Sequence, residues 1–254
     1  MTKRKIVVKI GTSSLINTMK DGTTCLALSH LAATVQTLSE LRTSGHDVIL
    51  VSSGAVGAGC QKMGLKERPD SMIERQALAS IGQVVLMSRY EQLFGSMSIG
   101  CSQVLLTYEN FIDRSQFINA RNTFNQLFSY GVIPIVNEND TVGVQELKAD
   151  NDKLASMVGN MIGADILFLL TDVNGVFTAN PHTDANAVRV DYVTDLEELR
   201  QKCSLGVDGD TTWGKGGMAA KITAASLATS LGVNCVIMAA DDCHKITVSV
   251  ILYA

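Results

Sequence analysis

The chain has 254 residues, of which 46% are hydrophobic and 18% charged, a composition that suits one large domain or two small ones. Its formal charge is −4 and no basic run stands out, which argues against nucleic acid or an anionic membrane as the main partner. The apolar run after MTKRK is too short for a signal peptide, and no segment approaches the ~20 apolar residues of a membrane span. We therefore expect a cytoplasmic protein.

A lysine interrupts the first apolar segment of the chain. Residues 6–8 and 10 are β-branched and apolar, which predicts a strand covered on both faces. Lys9 lies inside this run, and the sequence GTSS follows at 11–14. Burying an unpaired ammonium group costs on the order of several kcal/mol or more, so such a residue is rarely placed there without a role. Lys9 is therefore a candidate functional residue.

One pattern recurs along the chain: a helical stretch, a glycine and an apolar strand. It is found in LRTSGHDVILVS, LFSYGVIPIV, NMIGADILFLL and ATSLGVNCVIM. Glycine is common just after a helix, and alternating helices and apolar strands indicate a parallel sheet. We predict an α/β fold, a three-layer α/β/α sandwich with a central, mostly parallel sheet. The predicted helices cover about 26–44, 71–94, 114–130, 151–163 and 217–231, and 173–215 is predicted as loops or a hairpin.

Ligands of such sheets bind beyond the carboxyl ends of the strands. Two glycine-rich segments are therefore compared with known phosphate-binding and dinucleotide-binding loops. SSGAVGAG lacks the spacing of a dinucleotide-binding loop, and GDTTWGKG ends in Gly216 where a phosphate loop needs serine or threonine. GKGGMAAK could still bind phosphate at a helix amino terminus, or form a flexible turn. SSGAVGAG could likewise serve only for tight packing of a helix on the sheet.

Seven segments together resemble the amino acid kinase family, in the family's order and over essentially the whole chain. They are VVKIGTSSL, VSSGAVGAG, FINARNTF, IPIVNENDTV, DNDKLA, LLTDVNGVFTANP and GKGGMAAK. The opening KIGTS and the NEND segment are similar to the branch that phosphorylates glutamate, whereas the N-acetylglutamate branch has K-x-G-G. The resemblance implies transfer of the γ-phosphoryl group of ATP to the side-chain carboxylate of L-glutamate. The product would be γ-glutamyl 5-phosphate, the first intermediate of proline biosynthesis.

The resemblance implies three catalytic residues. Lys9 would stabilise the attacking carboxylate and the transferring group, and Lys221 would act on the ATP side. Asp152 would hold both lysines by charged hydrogen bonds. By themselves, these residues allow other interpretations: Lys221 could be a surface lysine, and Asp152 could be a helix cap, a role for which Asp150 competes.

The resemblance also implies two sets of binding residues. On the glutamate side, Ser53, Gly54 and Ala55 would supply hydroxyl and backbone N–H groups, Asp140 would bind the α-ammonium group, and Asn151 matches another binding position. The alternative for residues 137–141 is a polar turn, and Asp172 could also be a turn former. The nucleotide-binding set is Gly11, Thr171, Asp172, Lys215, Gly216, Gly217, Met218 and Lys221.

The resemblance extends to the domain organisation and the cofactors. We expect a single domain over 1–254, with an N-terminal part that binds glutamate and a part from about residue 165 that binds ATP. The PUA domain of many bacterial members is not part of this sequence. Magnesium is required in the family; we see no dedicated ligand set for a metal and expect Mg²⁺ to be held mainly by the nucleotide phosphates. Lys215 and Ala220 stand where the family generally has threonine.

The expected partners are L-glutamate and ATP, with proline as a feedback inhibitor. We also expect a homo-oligomer, a dimer or a tetramer, and hand-over of the product to glutamyl phosphate reductase. Two alternatives remain: another member of the family, such as an N-acetylglutamate or carbamate kinase, and a non-catalytic module that senses glutamate or proline. Paired lysines across a phosphoryl site argue against the sensor, which has no need of them.

Overall fold

A sheet of six strands organises the computed structural model, which describes residues 2–19, 22–143, 151–179, 184, 186–196, 199 and 217–252. The first elements are β1 (Lys5–Ile10), α1 (Thr12–Leu15), β2 (Ile16–Thr18), β3 (Thr24–Leu26), α2 (Leu28–Thr43), β4 (Asp47–Ser52), α3 (Ala55–Met63), α4 (Met72–Ser96), β5 (Cys101–Leu106), α5 (Glu109–Ile112) and α6 (Arg114–Ser129). Then follow β6 (Ile133–Glu138), α7 (Asn151–Ile162), β7 (Ile166–Thr171), β8 (Val176–Phe177), β9 (Arg189–Val190), α8 (Met218–Thr229), β10 (Asn234–Ala239), a 3₁₀ helix (Ala240–Lys245) and α9 (Ile246–Leu252).

The strand order is β10-β7-β1-β4-β6-β5, and every neighbouring pair is parallel. The parallel sheet is therefore confirmed, although β5 at one edge was not predicted. Two short antiparallel hairpins, β2–β3 and β8–β9, lie outside the sheet. The second of them falls in the stretch that was predicted as loops or a hairpin.

Alternating side chains of β1 point to opposite layers of helices. Ile6, Val8 and Ile10 pack in a cluster that includes residues of α2, α3 and α4. Val7 packs in a second cluster with residues of α6, α7 and α8. This arrangement confirms the three-layer α/β/α sandwich. By the same alternation, Lys9 shares the face of Val7 and points toward the helices of the second cluster.

The helix–glycine–strand pattern is confirmed in all four places. The glycines that follow α2, α6, α7 and α8 have positive φ angles between 62° and 95°, a conformation that other residues adopt at a cost. The five predicted helices are present with ends within a few residues of the prediction. Among the helices that the structure describes, none combines the length and the apolar composition needed to cross a membrane.

Glycines bring α3 and α4 unusually close together. A Cβ atom at Gly82 would lie 1.8 Å from the carbonyl oxygen of Ala55 and 2.4 Å from the backbone nitrogen of Gly59. A Cβ atom at Gly59 would lie 2.0 Å from the carbonyl oxygen of Leu78. Tight packing was one interpretation of the segment SSGAVGAG, but the close partner is another helix rather than the sheet. The contact sets how near α4 lies to the end of β4.

Gly82→Ala should destabilise the fold, because the new methyl group meets rigid backbone rather than a movable side chain. We expect a loss of about 1–3 kcal/mol or more in the free energy of unfolding, measured by chemical denaturation. Gly95→Ala is the matched control on the same helix, because no atom lies within 4 Å of its Cβ position. That variant should be neutral or gain up to about 1 kcal/mol. Equal stability of the two variants would contradict this account of the helix contact.

Candidate active site

The predicted site residues that the structure describes lie near the carboxyl ends of the central strands. In the sheet, β1 lies between β4 and β7, so the chain leaves β1 toward one side and later returns on its other side. Open parallel sheets bind ligands at such a reversal of strand order. Lys9 is the penultimate residue of β1 and lies opposite Val51 of β4 and Leu169 of β7. The candidate site is therefore centred on Lys9.

One carboxylate joins the two predicted catalytic lysines. Lys9 Nζ forms an ion pair with Asp152 Oδ1, and Lys221 Nζ lies 3.3 Å from Asp152 Oδ2. All three side chains are buried: Lys9 is 4% exposed, Lys221 6% and Asp152 0%. Asp152 lies in the first turn of α7 and Lys221 in the first turn of α8, so both helices begin beside the end of β1. Lys221 is thus a buried residue and not a surface lysine.

Two ammonium groups and one carboxylate leave one formal positive charge in excess among these three residues. Fixed positive charge in a site shielded from water is suited to bind an anion, because the electrostatic attraction is stronger there than in bulk solvent. Gly11 keeps space beside it, since a Cβ atom at that position would lie 3.3 Å from Lys9 Nζ. The arrangement can neutralise charge on a transferring phosphoryl group.

A second group of predicted residues lies on the β4 side of β1. Asn151 Nδ2 donates to Ser53 Oγ over 2.7 Å and reaches the carbonyl oxygen of Ser52 at 3.4 Å. Gly54 has a φ of 98° and immediately precedes Ala55, the first residue of α3. The first backbone N–H groups of a helix lack partners within the helix and commonly bind anions. Hydroxyl and N–H donors for a carboxylate therefore lie next to Asn151.

Several polar side chains that were not predicted from the sequence support this group. Asn137 Oδ1 accepts from Asn151 Nδ2 over 3.1 Å, and Asn137 Nδ2 donates to Gln83 Oε1 of α4 over 2.9 Å. Tyr90, also on α4, lies 2.8 Å from Ser52 Oγ. Burial raises the pKa of Tyr90, so its phenol remains protonated and can donate. Gln83 and Tyr90 lie at core-facing positions of α4, and Asn137 belongs to the segment IPIVNENDTV, in which only Asp140 was predicted to bind.

Asp140 lines a pocket of about 180 Å³ together with Ala55, Gln83 and Glu138. Burial raises the pKa of Asp140, and the charge of Arg68 partly opposes this shift. Burial, followed by the charges of Asp140 and Glu109, raises the pKa of Glu138 to about 7. A cation in the pocket would relieve the repulsion between these carboxylates. Residues 139–143 form a turn after β6, so the polar turn is present and Asp140 lies within it.

The predicted nucleotide residues lie partly on the β7 side. Thr171 ends β7, and its hydroxyl donates to Asp172 Oδ1 over 2.9 Å. Gly217 caps α8 and Met218 is its first residue, and the backbone N–H of Lys221 donates to the carbonyl oxygen of Gly217 over 3.3 Å. Two further predicted residues, Lys215 and Gly216, lie outside the described residues.

A family model matches most of the chain. The model of the amino acid kinase family matches residues 4–239. The chain belongs to the amino acid kinase family.

Among the described residues, no group of three or more histidine, cysteine, aspartate or glutamate side chains is arranged to hold a metal ion.

Three curated relatives from one branch of the family are all named glutamate 5-kinase. The chain is 49% identical over 233 residues to a glutamate 5-kinase of Synechococcus elongatus and 50% identical over 233 residues to one of Cyanothece sp.. Each match covers 91% of this chain but 62% of the relative's length. A glutamate 5-kinase of Synechocystis sp. is 48% identical over 241 residues, 93% of this chain and 62% of the relative.

Solved structures share the fold at low identity. A UMP kinase from Ureaplasma parvum is 13% identical with a TM-score of 0.65, and the match covers 98% of this chain and 96% of that one. Carbamate kinase from Giardia lamblia, bound to AMP-PNP, is 12% identical with a TM-score of 0.65 and 96% coverage of both chains. These two similarities support the fold alone.

Glu138 should make stability depend on pH. An acid whose pKa rises on folding binds its proton more tightly in the folded state, so stability falls as the pH rises from its ordinary value of 4.5 through about 7. Glu138→Gln should remove this part of the decline, and the variant should gain stability relative to the wild type above that range. The measurement is the free energy of unfolding as a function of pH. Glu67→Gln, at an exposed position, is the control, and an identical wild-type and Glu138→Gln profile would contradict the assignment.

Proposed function

We propose that this chain transfers the γ-phosphoryl group of ATP to the side-chain carboxylate of L-glutamate. The observation that carries the proposal is the buried cluster in which Asp152 pairs with both Lys9 and Lys221. The relatives named glutamate 5-kinase support the choice of glutamate among the substrates of the family. Because the chain spans 62% of those relatives, the activity is proposed for this chain and has to be tested on it.

The reaction joins two anions, and its requirements match the cluster. A carboxylate oxygen of glutamate forms a bond to the γ-phosphorus while the bond to the bridging oxygen breaks, and ADP leaves with the electron pair. The nucleophile is already ionised, so no general base is needed, and catalysis consists of positioning and charge neutralisation. Lys9 would neutralise charge on the attacking side and Lys221 on the ADP side. Asp152 would keep the two ammonium groups at a fixed spacing.

On the amino acid side, the proposal assigns the carboxylates to hydroxyl and backbone donors around Ser53, Gly54 and Ala55. Ser53 Oγ accepts from Asn151, and the same hydroxyl can donate its hydrogen to a carboxylate. Asp140 would bind the α-ammonium group, which fits a pocket that already holds a second carboxylate, Glu138. An N-acylated amine carries no charge and would gain nothing from these carboxylates.

On the nucleotide side, we propose that ATP lies against the ends of β7 and α8. Thr171, Asp172, Gly217 and Met218 would contact the nucleotide, and Lys215 and Gly216 remain predictions from the family pattern. Mg²⁺ would arrive mainly through the phosphates and neutralise their charge, as it commonly does. The domain division near residue 165, a cytoplasmic location, a homo-oligomer, inhibition by proline and hand-over to a reductase also remain predictions.

The test is ATP-dependent formation of an acyl phosphate, trapped with hydroxylamine. Glutamate is compared with N-acetylglutamate, aspartate and carbamate, and glutamate binding is measured separately by calorimetry. Product with glutamate alone would support the proposal. Product only with N-acetylglutamate or carbamate would replace the substrate, and glutamate binding without any product would favour a sensor.

Lys9→Met should lower kcat for glutamate by about 10²–10³, because the variant loses a positive group at the transferring phosphoryl. Methionine has a similar length, and Asp152 keeps Lys221 as a partner, so the protein should still fold and bind glutamate. Lys62→Met, on the exposed end of α3, is the control and should leave kcat unchanged. A Lys9→Met enzyme that is folded and fully active would exclude Lys9 from catalysis.

Asp140→Asn should weaken glutamate binding much more than ATP binding. Losing one hydrogen bond to a charged group is worth about 1.5–3 kcal/mol, or roughly 10–100-fold in affinity. Calorimetric titration of the variant with each ligand separately provides the comparison. Equal losses for glutamate and for ATP would remove Asp140 from the ammonium site.

A further inference from the structure

A chain of hydrogen-bonded side chains runs from α4 to the end of β4 beneath the proposed glutamate site. Its members, in order, are Gln83, Asn137, Asn151 and Ser53. Gln83 is 9% exposed, Asn137 3% and Ser53 8%. The catalytic steps proposed above give no role to Gln83 or Asn137, although two buried amides need well-defined partners.

The hydrogen bonds fix which way each amide points. The backbone N–H of Glu138 can only donate, and it donates to the side chain of Asn137 over 2.9 Å. The atom of Asn137 that it meets is therefore the oxygen, Oδ1. The NH₂ group of Asn137 then points to Gln83 Oε1, 2.9 Å away, which accepts from it. The N–H of Glu138 thus sets the orientation of Asn137, and Gln83 stabilises it by accepting from the NH₂ group.

The orientation of Asn137 in turn determines the orientation of the Asn151 amide. Asn137 Oδ1 is an acceptor, so the group of Asn151 that faces it at 3.1 Å must be the NH₂ group. The carbonyl oxygen of Ser52, at 3.4 Å from Asn151 Nδ2, requires the same orientation. Because Nδ2 makes these contacts, Asn151 Oδ1 points away from Asn137 and Ser52. That oxygen is buried and has no hydrogen-bond partner within the described part of the chain.

A buried acceptor without a partner costs about 1–3 kcal/mol, a cost that a ligand with a suitable donor can remove. Ionised glutamate carries hydrogen-bond donors only on its ammonium group, since its two carboxylates are acceptors. The phosphates of ATP are acceptors as well, and its donors, the adenine amino group and the ribose hydroxyls, belong to the nucleotide, which the proposal places against β7 and α8. The ammonium group is therefore the part of the two substrates that matches Asn151 Oδ1 on the β4 side of the site.

We propose that Gln83 is a positioning residue for amino acid recognition: through Asn137 it holds the Asn151 amide so that Oδ1 accepts a hydrogen bond from the substrate ammonium group. The inference rests on the proposed function and extends it, because the ammonium group gains a neutral acceptor besides Asp140. The α4 helix then contributes to specificity for an amino acid substrate, although the hydrogen bond to the ammonium group is made by Asn151 of α7.

The experiment is a double-mutant cycle on glutamate binding, with Gln83→Met and Asn151→Ala. Methionine keeps the length of glutamine but has no strong acceptor for Asn137. Gln83→Met should raise the Kd and KM for glutamate about tenfold, the value of one hydrogen bond, while kcat and the KM for ATP stay within about twofold. In the Asn151→Ala background the same change should add less than about twofold, because the residue through which it acts is already gone.

Glutarate, the same dicarboxylate without the amine, distinguishes a specific loss of ammonium recognition from a general distortion of the binding site. As a competitive inhibitor it should bind wild type and Gln83→Met with similar affinity. Gln92→Met, at an exposed position of α4, is the control for the helix and should change nothing. Denaturation curves identify any variant that has lost its fold, and Gln83→Leu then serves as a second variant without the acceptor.

Additive effects in the cycle, or an equal loss for glutarate, would overturn the positioning role while leaving the kinase activity of the wild type intact. A wild-type protein that neither binds nor phosphorylates glutamate would overturn the proposed function and this inference together. Coupled effects on glutamate, with glutarate unaffected, would support it.

Discussion

The structure of the site depends on the ion pairs between Asp152 and two buried lysines. An unpaired ammonium group in this position would oppose folding, and removing one partner of a buried ion pair typically costs about 3–5 kcal/mol. Pairing both lysines with one carboxylate keeps them buried while retaining a positive excess for an anion. The start of α7 and the start of α8 must therefore both meet the end of β1. The same contact that allows Lys9 to be buried thus also organises the candidate site at the carboxyl edge of the sheet.

A long helix provides the other support of the site. Because Gly59 and Gly82 let α3 and α4 approach at backbone distance, Gln83 can reach Asn137 and Tyr90 can reach Ser52. The close helix contact and the polar network therefore depend on each other. The close packing at Gly82 therefore determines where α4 places Gln83, the next residue, and Tyr90, two turns further along the helix.

Much of the fold was predictable because local signals and tertiary structure agree. The glycines after four helices, the apolar strands between them and the lysine in β1 were all visible in the sequence. β5 was missed because its residues are only partly buried at the sheet edge, so CSQVLL lacks a continuous apolar signal. Gln83 and Asn137 were missed for another reason: their partners are distant in sequence, and an amide in a helix or strand does not indicate which group it meets.

The order in which the site residues occur along the chain has a consequence for biosynthesis. Lys9 leaves the ribosome first, whereas Asp152 follows after β4, β5 and β6, and Lys221 later still. Until α7 emerges, the centre of β1 has neither its neighbour β7 nor a carboxylate for its lysine. In that partial chain Lys9 stays on the face that α7 has yet to cover, so its burial and its ion pair require Asp152 to have been synthesised. The complete packing around β1 therefore joins parts of the chain that leave the ribosome far apart in time.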